Sequence, residues 1–271
     1  MTPTRRPRRS RPHPAAGTPV WLFDLDNTLH GASRAIFPQI NRAMTQYLVD
    51  TLNLDLAEAN RLRVGYTARY GALLLGLARH HPVDPRDFLK VVHELPDLAA
   101  MLHAERGLAR TLAALPGRKI VLTNGPETYA RAVLAALGIE RAFERVIAIE
   151  QMRERGRWRA KPDRAMLRQT LRRLGATLAD AILIEDTRGH LKRYRRLGIQ
   201  TVWMTGHLPP LPGPSTRLAG SGRPHYVDHR IRSLKSLQQR IRSGRLGQSR
   251  RFQGRHSCSR PTHVTQQQDP S

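Results

Sequence analysis

The segment Trp21-Leu22-Phe23-Asp24-Leu25-Asp26-Asn27-Thr28-Leu29 constrains this chain more than any other. An apolar run stops at two aspartates two positions apart, and a hydroxyl residue comes next. A buried strand cannot carry ionised carboxylates cheaply, because a charge taken from water needs a cation or hydrogen bonds. The acids therefore belong at the strand's exit, which in an open α/β sheet is where ligands bind. Two carboxylates at such a rim suit a hard metal ion and chemistry on an anionic substrate.

Beyond this segment the chain has two rhythms. From 36 to 115 apolar residues recur at three- and four-residue spacing, through Ile40, Met44, Tyr47 and Leu48, then Leu73, Leu74 and Leu77, then Phe88, Val91 and Val92. That spacing predicts helices, and Asp84-Pro85 reads as an N-cap followed by a first-turn proline. From 116 onward, strands and helices alternate. Strands are expected at Lys119 to Thr123, Val146 to Ile149, Ala181 to Glu185 and Gln200 to Met204, with a short one near Tyr226-Val227. Between them fall helices over Pro126 to Leu137, Asp163 to Leu174 and Gly189 to Leu197, each stopped by a glycine. A last amphipathic helix carries Ile231, Leu234, Leu237 and Ile241 on one side, after a Pro/Gly-rich loop from Thr205 to Arg223. The alternation predicts an α/β fold, a doubly wound parallel sheet with an inserted all-helical module. The expected organisation is a core of 18–35 and 116–242, a helical insert over 36–115, and disordered tails at 1–17 and 243–271.

The formal charge of the 271-residue chain is +25. Residues 1–17 hold five Arg and no acid, and 243–271 hold five Arg and one Asp, so +16 remains on the body. The ordinary reading is a solvated cationic surface that steers anions. No aromatic-rich basic stretch suggests base stacking, so nucleic acid is expected only through the basic tails. The single Cys258 permits no intrachain disulfide. No apolar run is long enough to span a bilayer, and no h-region comes after the N-terminal arginines. A cytoplasmic protein is expected; the oligomeric state is left open.

Polar residues recur at later strand exits, as Thr123-Asn124-Gly125 and Glu185-Asp186-Thr187, with Lys161-Pro162 in a loop between. Each alone has a plain explanation as a turn signal, a helix-terminal acid pair or a surface lysine. Their recurrence on one rim does not. The series Asp24-Leu25-Asp26-Asn27-Thr28, Thr123-Asn124, Lys161-Pro162 and Glu185-Asp186 resembles the haloacid dehalogenase superfamily of hydrolases over roughly residues 18 to 242. The helical insert sits where one subgroup carries its cap. Trp21 to His30, Arg69-Tyr70-Gly71 and His80-His81-Pro82-Val83-Asp84-Pro85 are similar, more narrowly, to the bacterial pyrimidine 5′-nucleotidase-like group.

The resemblance implies an Mg²⁺-dependent phosphomonoesterase. Asp24 would be the nucleophile, and Asp26 the acid and base. Thr123 and Asn124 would bind the phosphoryl group, and Lys161 would offset its charge. Mg²⁺ would take Asp24, the main-chain carbonyl of Asp26 and Asp186, with Glu185 as a further ligand or behind one. A dehalogenase needs no acid at position 26, because a halide leaves unprotonated. Arg69, Tyr70 and His81 are the candidates for contacting the rest of a small phosphorylated substrate, a pyrimidine nucleoside monophosphate first. The alternatives are a phosphomutase or sugar-phosphate phosphatase of the same fold, and, in another class, a basic nucleic-acid-binding protein. His190 stands where relatives carry Asn, a position from which it would orient Asp186.

Overall fold

The computed structural model describes residues 18–209, 223–244 and 246. Both tails, except for residues 243, 244 and 246, and the middle of the Pro/Gly-rich loop lie outside the described residues. Six strands form one all-parallel sheet: β1 (Val20–Phe23), β2 (Arg118–Leu122), β3 (Arg145–Ile147), β4 (Ala181–Glu185), β5 (Gln200–Met204) and β6 (His229–Ile231). Their order is β3-β2-β1-β4-β5-β6. The chain moves outward from β1 to β3, then crosses back to pair β4 beside β1. That reversal makes the β1/β4 junction the switch point, where a crevice opens at the strands' carboxyl ends.

Period-two alternation sorts the side chains of each strand. Trp21, Phe23, Val121, Ile182, Ile184, Val202 and Met204 face one layer, and Val20, Leu22, Ile120, Leu122, Leu183 and Trp203 the other. The first layer is closed by α6 (Leu108–Ala113), α7 (Glu127–Ala136) and α10 (Leu234–Arg242). The second is closed by α8 (Arg164–Arg173) and α9 (Arg188–Arg195), through Leu167, Leu171, Leu191 and Tyr194. With helices on both faces, the strands read as continuous apolar runs, as parallel sheets require. Gly117 holds the start of β2 against β1. Its φ is +87° and an added Cβ would lie 2.4 Å from the Pro19 carbonyl oxygen, so only glycine fits there.

The insert consists of α1 (Ile36–Leu52), α2 (Leu56–Tyr70), α3 (Leu73–His80), α4 (Pro85–Val92) and the short α5 (Leu98–Met101). Asp55 and Glu58 form a capping box on α2, and Asp84 caps α4 ahead of Pro85. Tyr47, Leu48, Leu73, Leu74, Leu77, Phe88, Leu89 and Val92 make a core of their own, joined by Ile149 and Ala160 from the loops beyond β3. Met101, Leu108 and Leu112 instead join the sheet's layer.

Two local expectations are corrected. The last strand is His229–Ile231, whereas Tyr226-Val227 lies in a turn closed by the Val227 amide on the Pro224 carbonyl at 2.9 Å. An edge strand is half solvated and needs few apolar residues, so His229 and Arg230 hid it, and Ile231 ends it rather than opening the last helix. Val91, read as core, is 40% exposed, the apolar face of α4 running through Phe88, Leu89 and Val92 instead.

Candidate active site

The switch point gathers the polar strand exits. Asp24 comes directly after β1, and its amide donates to the Ile184 carbonyl at 3.0 Å, which puts it level with the end of β4, where Glu185 stands. Between them lies Lys161, 2% exposed, its Nζ 2.5 Å from Asp24 Oδ1 and 2.8 Å from Glu185 Oε2. The loop that delivers it is clamped by Asn124, whose Oδ1 accepts from the Lys161 amide at 2.7 Å while its Nδ2 donates to the Lys161 carbonyl at 3.2 Å. Asn124 therefore positions the lysine, and Lys161-Pro162 is a cis peptide. Thr123, 1% exposed, accepts the Gly125 amide on Oγ1 at 3.0 Å.

Burial alone would lower the Lys161 pKa, but Asp24 and Glu185 outweigh it and hold the ammonium charged. Glu185 also receives the Thr187 amide on Oε1 at 3.1 Å, and His190 Nδ1 sits 3.2 Å from Oε2. Burial acts against its charge, yet Lys161 and His190 keep its carboxyl well below the usual range. His190 thus attends Glu185, not Asp186. Asp186 is held by Asn27 Nδ2 at 3.3 Å and Thr187 Oγ1 at 3.1 Å. Asn27 can do this because it occupies the left-handed region (φ 59°), its Oδ1 taking the amides of Ala32 and Ser33.

Three carboxylates therefore face one lysine. Burial, then Glu185, pushes the Asp24 carboxyl up to about 7, and burial with Asp24 and Glu185 pushes Asp186 up to about 9. This excess negative charge, on hard oxygen donors, is what a divalent cation relieves. Ligand atoms of Asp24, Glu185 and Asp186 lie within 4.8 Å of one another, so the three residues fit a metal site. All six carboxylate oxygens also accept from protein groups: Asp24 from Lys161 and Thr28, Asp186 from Asn27 and Thr187, and Glu185 from Lys161 and Thr187.

Asp26 is held by an aromatic hydroxyl and a histidine. Its Oδ1 accepts from the Tyr129 hydroxyl at 2.6 Å and lies 3.1 Å from Nε2 of the fully buried His30. Oδ2 has no hydrogen-bond partner among the described residues. The Tyr129 ring packs against His93 (centroids 5.3 Å apart), whose pKa burial lowers to about 4, keeping it neutral. Sequence reasoning missed Tyr129, because an aromatic in the first turn of a helix reads as core. His30 and Asn27 stand within the first motif but carried no assigned role.

The remaining candidates lie elsewhere. Arg69 and Tyr70 line a cavity of about 860 Å³ between the insert and residues 156–163, whose walls include Pro162 and Asp163 but not Asp24, Asp26, Glu185 or Asp186. His81 Nε2 meets the Tyr66 hydroxyl at 3.0 Å, and His80 meets that of Tyr70 at 2.6 Å.

A rim of this kind, with two acids after β1, a threonine after β2, a buried lysine and an acid pair after β4, defines a hydrolase class. The haloacid dehalogenase-like hydrolase family matches residues 20–192, and the chain belongs to it. It is 28% identical over 195 residues to a phosphoglycolate phosphatase of Rhodospirillum rubrum, covering 68% of this chain and 78% of that protein. It is 24% identical to phosphate metabolism protein 8 of Saccharomyces cerevisiae, covering 69% of this chain and 62% of that one. Among solved structures, a HAD phosphatase from Thermococcus onnurineus superposes with a TM-score of 0.54 at 19% identity, over 85% of this chain and 99% of that one. The L-2-haloacid dehalogenase of Xanthobacter autotrophicus gives 0.51 at 18%, over 83% and 98%. At such identities the likeness shows the fold alone. No helix among the described residues is long and apolar enough to cross a membrane.

Proposed function

We propose that the protein hydrolyses phosphoric monoesters of small metabolites through an aspartyl-phosphate on Asp24, with pyrimidine nucleoside monophosphates as first substrates. The observation that carries this reading is Lys161, buried and bridging Asp24 and Glu185 within hydrogen-bond distance. It fixes one oxygen of Asp24 and leaves Oδ2, which has only the longer 3.3 Å bond from Thr28, as the attacking atom. The phosphatase name of the Rhodospirillum protein supports phosphoryl chemistry, as does Asp26.

In the first step the Asp24 oxygen forms a bond to phosphorus as the ester P–O bond breaks, and Asp26 gives its proton to the departing oxygen. In the second, Asp26 takes a proton from water, whose oxygen displaces Asp24 and releases phosphate. Lys161 and the amides after β2 stabilise the charge on the phosphoryl oxygens. Mg²⁺, held by Asp24 and Asp186 with Glu185 behind, would offset the repulsion between these carboxylates and a phosphate dianion.

The test is release of free phosphate from uridine and cytidine monophosphates, phosphoglycolate and sugar phosphates, with and without Mg²⁺. The pyrimidine nucleotides are expected to rank first. If they rank no higher than the sugar phosphates, the nucleotide assignment fails, and an isomerised product without free phosphate would indicate a mutase. With p-nitrophenyl phosphate, Tyr129→Phe is expected to lower kcat by roughly 10-fold to 10²-fold with little change in KM, because it loosens Asp26 without touching the phosphate site. An unchanged kcat would remove Tyr129 from the site.

A further inference from the structure

The body's positive charge is not spread evenly. Residues 153–197, which supply the loop before Lys161 and then α8, β4 and α9, hold fourteen Lys/Arg against five Asp/Glu. The insert over 36–115 holds nine against eight and 116–152, around α7 on the opposite face, five against four, while 198–242, which includes β6 and α10, holds seven against one. The five acids of the basic segment are all engaged. Glu185 and Asp186 face the catalytic cluster, Glu154 and Asp163 both pair with Arg159, and Asp180 accepts from Thr177. Exposed cations consequently stand without a carboxylate partner among the described residues. Arg188 and Lys192 lie four residues apart on α9, with Arg196 capping its C-terminus, and Arg168 and Arg172 lie four apart on α8. Both helices cover the same side of the sheet.

This basic face adjoins the cavity of about 860 Å³ beneath the insert. Its walls carry Arg69, Arg79, Arg157 and Arg193, and two half-buried aromatic rings, Tyr70 and Trp158. Arg153 lies over the Trp158 ring at 4.9 Å and Arg69 over Tyr70 at 5.5 Å. Folding therefore brings together what the sequence keeps apart, aromatic surfaces within a cationic groove. Paired aromatics and arginines in a concavity are how a protein stacks an unpaired base while its cations track the phosphates.

We propose that the outer face of α8 and α9, with this cavity, is a docking surface for single-stranded nucleic acid, one base entering between the insert and residues 156–163. A single nucleotide is too short to cover both the cavity and the helices; α8 alone is about 15 Å long, a span that takes several nucleotides. A duplex keeps its bases stacked and has none to offer the cavity. The surface is distinct from the catalytic rim, because Lys161 turns its ammonium away from it toward Asp24.

The test measures fluorescence anisotropy of a labelled twelve-nucleotide oligouridylate without terminal phosphates, so that it carries no monoester, on the full-length chain near ~100 mM salt. Arg79→Gln/Arg157→Gln/Arg193→Gln is expected to weaken binding tenfold or more and to flatten the log–log salt slope by about 2. A control with equal charge loss on the α10 side, Arg232→Gln/Lys235→Gln/Arg242→Gln, is expected to change affinity less than threefold. Trp158→Leu is expected to lose about fivefold or more, with Trp158→Phe close to wild type. The proposal is overturned if the strand does not bind, if the two triple variants weaken it equally, or if Trp158→Leu binds normally. It is equally overturned if a duplex of the same length binds as tightly, or if uridine monophosphate alone displaces the strand. None of these readouts depends on catalysis, so failure here leaves the phosphatase reading standing, and the reverse.

Discussion

Asparagine at position 24 is expected to lower kcat on p-nitrophenyl phosphate by at least ~10⁴-fold while leaving the protein folded. The amide has the shape of the carboxylate but no charge with which to attack phosphorus. Its oxygen can still accept from Lys161, so the 2.5 Å contact relaxes rather than vanishes. Burial and Glu185 already disfavour the ionised form of Asp24, and removing that charge relieves the crowding of three acids around one lysine. The variant should therefore melt no lower than the parent in chelator. Mg²⁺ should separate the two: the parent gains thermal stability from ions that bind only its folded state, and Asp24→Asn loses most of that gain. Substantial metal-dependent turnover by the variant would remove Asp24 as nucleophile. A preserved metal-induced shift would remove it only as a ligand.

The rim was readable in the sequence because it breaks a pattern. An apolar run that ends in acids, a threonine or an acid pair conflicts with burial, and the conflict recurs at β1, β2 and β4. Strands buried on both faces, such as Ala181–Glu185 and Gln200–Met204, announce themselves by short apolar runs, here Ala181 to Ile184 and Val202 to Met204, and both fall where their residues predict. β6 did not, since an edge strand with one solvated side can be built from His229 and Arg230. Tyr129, His30 and Asn27 escaped for another reason. Their roles arise from contacts across the fold, and an aromatic, a histidine or an asparagine in those local settings has an ordinary structural explanation. Trp158 and its pairing with Tyr70 show the same limit. Neither residue sits in an aromatic-rich stretch, and only the packing of α2 and α3 over the 156–163 loop puts both in one cavity.

Lys161→Met should bring the largest loss of stability of any single change at the site, about 3–5 kcal/mol. Methionine fills much of the lysine's volume, so the loss is electrostatic rather than a cavity. Asp24 and Glu185, 6% and 1% exposed, would then face each other with no cation between them. The main-chain bonds of Lys161 to Asn124 do not involve its side chain, so the loop should keep its course. Urea unfolding in the absence of metal measures the effect, as a lower midpoint at unchanged slope. The decisive comparison is the same substitution in an Asp24→Asn background. With one of the two stranded charges already gone, Lys161→Met should cost clearly less there than in the parent, by roughly 1–3 kcal/mol. Equal costs in both backgrounds would mean that the lysine stabilises the fold by packing, and that the charge bridge between β1 and β4 contributes nothing to holding the switch point together.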